Sequence, residues 1–296
     1  MPTAEPALAS AVRYLGVDLA WRDSDPARPA NETGVVALDP SGTVLDAGWT
    51  RGVEVTAHWM QAWSLPHTVA FVDAPLVVAN DAGQRVCETE LGRCYGAWKV
   101  SANSTNRSTP AQAGVRLRRV LEGRGWHYDD GCRGPPAGGR SLSECYPYTT
   151  LVGSPELGYD RERPRYKRPP RGQAPRRFAA ARAAACDDLV ARLAGLAAVR
   201  PPLDLSSHVA CRALVDRPSP LAPRAYKHRE DLIDAALCAW TAAVWAEWGP
   251  ARCQVLGAAD GTLDEGGRGA TIIAPARPDQ RRPPRRRPSP TAARPG

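Results

Sequence analysis

The chain has 296 residues and a mass of 31.8 kDa, room for one large domain or two small ones at about 100–200 residues each. Hydrophobic residues at 43% and charged residues at 24% exclude a wholly disordered chain and a coiled coil, and the length supports a core that needs no disulfides. The net charge is +8, 36 of the 39 basic residues are Arg, and Pro, at 29 residues, is about twice its usual share.

Residues 1–11 read as a flexible leader. Three β-like stretches follow, Arg13–Trp21, Thr33–Asp39 and Thr43–Thr50, the last two joined by the turn Pro40-Ser41-Gly42. Glu54–Ser64 forms a short helix, and His67–Leu76 is a strand apolar enough to be buried on both faces, ended by Pro75. A helix carries Arg85, Glu88, Glu90 and Arg93, and a second runs from Ala111 to Gly123. A Gly/Pro loop at 129–142 leads into the short strand Ser141–Pro147. Helices at Ala179–Leu196, Leu205–Leu214 and 229–248 and a last strand, Gly269–Pro275, complete the order. Three meandering strands continued by β–α–β units give an α/β fold, a mixed sheet with helices on both faces. Residues 12–275 are read as one domain, with a Pro/Arg insert at about 160–177 and a disordered Arg/Pro tail at 276–296.

The positive charge is localised. Residues 161–182 hold nine basic side chains and one acid, and residues 275–296 hold seven Arg and one Asp. The rest of the chain is net acidic, so a polyanion-binding surface has to come from those two segments. The eight Cys are scattered without a C-x-x-C pair or zinc-ligand spacing, the pattern of buried free thiols. There is no export signal and no apolar run of about 18 residues, so the expectation is a cytoplasmic protein with no membrane span.

Five acids stand out. Asp18 lies between Leu15-Gly16-Val17 and Leu19-Ala20-Trp21, and Asp73 between Phe71-Val72 and Ala74-Pro75. Asp234 sits in a helix apolar nearly all round, where an ionised carboxylate is costly unless it is paired or binds a metal. Asp231 is three residues earlier on the same helical face, and Glu144 is in the short strand before Cys145-Tyr146-Pro147. Taken singly, a strand-end Asp is as often a turn or cap residue, Asp231 suits a helix N-terminus and Glu144 an Arg partner. Jointly, acids on the first strand, the fourth strand, a later strand and the last helix converge if the adjacent strands are parallel. Carboxylates so gathered suit Mg²⁺ or Mn²⁺, and two ions about 3.5–4 Å apart can clamp both oxygens of a phosphodiester displacement.

The runs GVDLAW (Gly16–Trp21), FVDAPLVVAN (Phe71–Asn80), ECYPYTTLVG (Glu144–Gly153), YKHREDLIDAALCAW (Tyr226–Trp240) and ATIIAP (Ala270–Pro275) together resemble domain-of-unknown-function family 429. That family is described as predicted nucleases of the ribonuclease H-like fold. The resemblance covers about Arg13 to Pro275, while the 161–177 insert and the Arg-rich tail depart from it. It implies a five-stranded sheet of order 3-2-1-4-5, with Asp18 and Asp73 as strand ligands. It also implies that Asp231 and Asp234 act as the last-helix acids and Glu144 as the acid of an E-x-Y-P run. The metal set is then Asp18, Asp73, Asp231 and Asp234, with Glu144 as a further catalytic acid. Asn80, Arg85, Arg107 and Lys227 are secondary candidates for binding substrate phosphates, although Arg85 and Arg93 also suit ion pairs with Glu88 and Glu90.

The leading expectation is a divalent-metal-dependent nuclease acting on DNA or RNA. A non-catalytic nucleic-acid-binding protein with a vestigial site is the alternative. An actin-like ATPase or kinase is a weaker one, since a second glycine-rich phosphate hairpin is missing.

Overall fold

The computed structural model describes residues 12–24, 28–167 and 175–281. The leader at 1–11, most of the tail and the centre of the Pro/Arg insert lie outside the described residues. A six-stranded mixed sheet forms the middle layer, with the strand order β3-β2-β1-β4-β6-β5. Its strands are β1 (Val12–Asp18), β2 (Glu32–Leu38), β3 (Val44–Arg51), β4 (His67–Val72), β5 (His127–Tyr128) and β6 (Gly139–Glu144). The first three run as an antiparallel meander, and β1, β4, β6 and β5 are mutually parallel.

The five-stranded expectation is short by one strand, the two-residue edge strand β5, which a Gly/Pro-rich sequence does not advertise. The stretch at Gly269–Pro275 contributes β8 (Ile272–Pro275), which pairs with β7 (Cys253–Leu256) in a separate two-stranded sheet. The Ser141–Pro147 stretch ends as a strand at Glu144, and Pro147 opens the helix α4 (Pro147–Gly153). Proline at the first helical position lacks only an N–H that would have had no partner there.

Alternation along the strands divides the core in two. Leu15, Val17, Val35, Ala70, Val72 and Leu142 face α1 (Val53–Trp63) and α3 (Ala113–Glu122). Tyr14, Val36, Val69 and Phe71 face the other way. There they meet α2 (Val86–Tyr95), α4, α5 (Pro175–Ala194), α6 (Val209–Asp216) and α7 (Pro223–Trp248). The fold is therefore a three-layer α/β/α sandwich.

Helix α7 begins six residues before the expected 229–248 and is buried without interruption from Arg229 to Trp245. It lies directly on β1 and β2 because those strands present glycines beneath it. A Cβ on Gly34 would sit 2.0 Å from the Asp231 carbonyl oxygen, and one on Gly16 would sit 2.0 Å from that of Ala235. Two missing methyl groups thus set how deeply the acidic turn of α7 descends onto the sheet.

The first residues of the expected tail are ordered. Residues 278–280 form a short 3-10 turn, Gln280 is buried and donates to the Val152 carbonyl, and the Arg277 backbone N–H donates to its side chain. Arg281 donates to the carbonyls of Pro250 and Ala251. Among the described residues no disulfide links the eight cysteines, six of which are buried. Among the described residues no helix is long and apolar enough to cross a membrane.

Candidate metal centre

The parallel pairing of β1 with β4 sets Val17 beside Val72, and the Asp73 N–H donates to the Val17 carbonyl at 2.8 Å. Asp18 and Asp73 therefore emerge side by side at the carboxyl ends of adjacent parallel strands, where open α/β sheets hold their ligands. By strand alternation both share a face with Tyr14, Gly16, Val69 and Phe71, the face covered by α7. From above, α7 lowers Asp234 between them. One carboxylate oxygen from each of Asp18, Asp73 and Asp234 lies within 4.8 Å of the others. Asp231, one turn earlier on α7, lies outside that mutual group but lines the same cleft as Asp18.

The cluster is under-neutralised. Burial pushes the Asp18 carboxyl well above the ordinary range, and repulsion from Asp234 and Asp73 adds to it. Burial raises Asp73 to about 7, with Lys167 pulling against the shift. Asp231 is raised to about 6 by burial despite Lys227, whose Nζ lies 2.6 Å from Oδ1. Asp234 is fully buried. Its Oδ1 accepts the Tyr166 hydroxyl at 2.5 Å, and its Oδ2 faces the Lys167 ammonium without accepting a well-formed hydrogen bond.

Asp18, Asp73 and Asp231 floor a cleft of about 430 Å³, with Asp234 buried behind them. Its walls carry Lys99, Arg163, Lys167 and Lys227, and the aromatic faces of Trp21, Tyr146 and Tyr148. Arg163 stacks over the Tyr148 ring at 4.2 Å and donates from Nε to the Lys99 carbonyl at 2.8 Å. Lys99 adopts a left-handed backbone (φ 62), an uncommon conformation for a side-chain-bearing residue and one that clusters at functional sites.

Two of the sequence candidates do other work. Glu144 pairs in register with Val72, so its side chain follows Leu142 to the face opposite α7, while Cys145 takes the place beside Asp73. Glu144 receives both terminal nitrogens of Arg85, at 2.6 and 2.7 Å, and the Leu76 N–H at 3.1 Å. Arg85 also holds Glu88 at 2.9 Å and the Val77 carbonyl at 3.1 Å, and is 3% exposed. Arg85 is thus a buried clamp on the loop after β4, with no face open to a substrate, and Glu144 is its counter-charge.

Asn80 holds that loop from within, donating to the carbonyls of Ala82, Gly83 and Thr105. Arg107 is exposed, pairs with Asp81 at 3.1 Å and does not line the cleft. Lys227 alone of the four substrate candidates lines it.

Sequence reasoning missed Lys99, Arg163, Lys167 and Tyr166. Arg163, Tyr166 and Lys167 sit in the Pro/Arg insert, where charge density hid them. The available signal was Lys167 itself, one of only three lysines in an arginine-dominated chain.

A search of curated proteins and one of solved structures found no match. The family model described as "Protein of unknown function (DUF429)" matches residues 16–257, a span that contains all five sequence-selected acids and the four basic residues of the cleft. The chain belongs to that family.

Proposed function

We propose that the chain is a divalent-metal-dependent nuclease of ribonuclease H-like architecture, hydrolysing phosphodiester bonds of DNA or RNA. The observation that carries this reading is the convergence of Asp18, Asp73 and the buried Asp234, the first two of them on the floor of a cleft walled by four basic side chains. Carboxylates alone would repel a polyanion, and basic walls alone would bind one without chemistry.

The donor set fits a hard cation. It is all oxygen, with no His or Cys in the group, as Mg²⁺ and Mn²⁺ prefer. Oxygens sharing one Mg²⁺ at about 2.1 Å each lie no more than about 4.2 Å apart, so the observed group needs only a small contraction. When bound, such an ion lowers the pKa of a water and polarises a phosphoryl oxygen.

Asp18 and Asp73 would hold the ion, and Asp231, at the open side of Asp18, is better placed than Glu144 to complete its shell. Lys99, Arg163 and Lys227 would grip non-bridging and flanking phosphate oxygens. Trp21, Tyr146 and Tyr148 offer apolar faces to a sugar or base. In the hydrolysis the oxygen of water bonds to phosphorus, and the ester P–O bond breaks with its electron pair. The departing oxygen gains a proton and the attacking water loses one, so no redox partner is required.

The test is incubation of the purified chain with single-stranded DNA, duplex DNA, RNA, hybrid and junction substrates in Mg²⁺ or Mn²⁺. Cleavage by the wild type that vanishes in Asp18→Asn is expected. Absence of cleavage on every substrate with either metal would overturn the reading.

A further inference from the structure

The chain contains 36 Arg and three Lys, and all three lysines, Lys99, Lys167 and Lys227, line the one cleft. Arginine serves everywhere else that the described structure needs a buried cation, as at Arg85, Arg118 and Arg229. The two side chains differ in kind: guanidinium is a planar fork that seeks two acceptors, and an ammonium is a compact point charge. Lysine in this chain therefore marks positions where a compact cation is wanted.

Lys167 is the innermost of the three. Its Nζ contacts Asp234 Oδ2, and its side chain is 21% exposed, against 58% for Lys227. Burial opposes its charge, but Asp234, Asp18 and Asp73 outweigh that and hold the ammonium protonated well above the ordinary lysine range. The neighbouring Tyr166 hydroxyl takes the other Asp234 oxygen, so a guanidinium fork would find only one acceptor there. The position is fixed from outside. The Tyr226 hydroxyl, at the start of α7, donates to the Tyr166 carbonyl at 2.5 Å, and Nζ lies over the rings of Tyr148 and Tyr166 at 5.4 and 5.7 Å.

A site for two ions needs a carboxylate for each and one shared between them. Here Asp234 already has one oxygen on Tyr166 and the other against Lys167, which leaves Asp18 and Asp73 for metal. One dication and one ammonium neutralise three carboxylates. We propose that Lys167 is the second cation of this centre: the cleft takes a single divalent ion on Asp18 and Asp73, and the Lys167 ammonium, seated on Asp234, stands where a second ion would and meets the scissile phosphate. The proposal rests on the nuclease reading and refines the two-ion expectation drawn from the sequence. It also gives the insert at 160–177 a role, since its first residues deliver the cation.

The deciding experiment is a Mn²⁺ titration of the full chain, followed by calorimetry and electron paramagnetic resonance. One tightly bound, magnetically isolated Mn²⁺ per chain is expected. Two tight ions with an exchange-coupled spectrum would overturn the role of Lys167 and leave the nuclease reading standing, whereas no bound Mn²⁺ would remove the nuclease reading itself. Lys167→Met is expected to take up a second Mn²⁺, and a folded variant that stays at one ion contradicts the proposal. Lys167→Arg, which keeps the charge on Asp234, is expected to hold one Mn²⁺ and to lose about a hundredfold in cleavage rate. An undiminished rate would contradict the proposal even if the Met variant fails to fold.

Discussion

Two carboxylate groups lie near neighbouring strand ends of the same sheet, and they are built in opposite ways. Glu144 is matched by a two-pronged arginine and a backbone N–H, and Arg85 shares its remaining donors with Glu88 and Val77. Asp18, Asp73 and Asp234 are crowded against each other with one lysine among them. The first group is sealed from solvent, and the second opens on a cleft through Asp18 and Asp73. Burying a charge without a matched partner costs stability, and the shortage of counter-charge around the second group is what supports the proposed metal site. The contrast separates an acid that is matched within the fold from acids that, on the proposed reading, receive a cation.

The largest effect should come from breaking the matched group. Arg85→Ala leaves Glu144 buried and unpaired and should cost about 3–5 kcal/mol. Asp18→Asn in metal-free protein should cost nothing or stabilise, because it removes repulsion. Urea unfolding of both variants checks the contrast, and similar losses in the two would erase it.

Next in size is the contact that seats α7. Gly34→Ala drives a methyl group against the Asp231 carbonyl and should destabilise by about 1–3 kcal/mol or more. It should also weaken Mn²⁺ binding, since the acidic turn must lift away from the sheet. A variant of native stability and native metal affinity would show that the close approach is dispensable.

A third contrast lies in the pH dependence of stability. Burial raises Asp73 from 3.8 to about 7 in the folded chain, so between those values the native state holds a proton that the unfolded state has released. Without metal, the Asp73 contribution to stability should therefore fall as pH rises from about 4 to about 7. Added Mn²⁺ should flatten the fall by giving the ionised carboxylate a partner. Urea midpoints across that range, with chelator and with Mn²⁺, measure it, and a metal-independent slope would argue against Asp73 as a ligand.

Much of this arrangement is legible in the sequence. Lone acids in apolar strands mark Asp18 and Asp73, and an acid in an otherwise apolar helix marks Asp234, because in each case burial and charge conflict. The parity of Glu144 is not legible, since it depends on the register of β6 against β4, and one residue of register exchanges the two faces of the sheet. Arg85 carries both readings in sequence, ion pair and phosphate contact, and only the convergence of Glu88, Glu144 and Val77 on its guanidinium separates them. Lys167 escapes because an insert rich in Pro and Arg has no periodicity from which to read a direction. The depth of α7 over β1 likewise follows from Gly16 and Gly34 only once the helix is known to cross them.

The central claim is that the unmatched acids, and not the matched one, receive a divalent ion. An anomalous difference map at the manganese edge, from crystals of the full chain grown with Mn²⁺, tests it most directly. A single peak between the Asp18 and Asp73 carboxylates is expected, with Lys167 still on Asp234 and no density beside Glu144. An empty cleft at saturating Mn²⁺, or a peak at Glu144, would contradict the account.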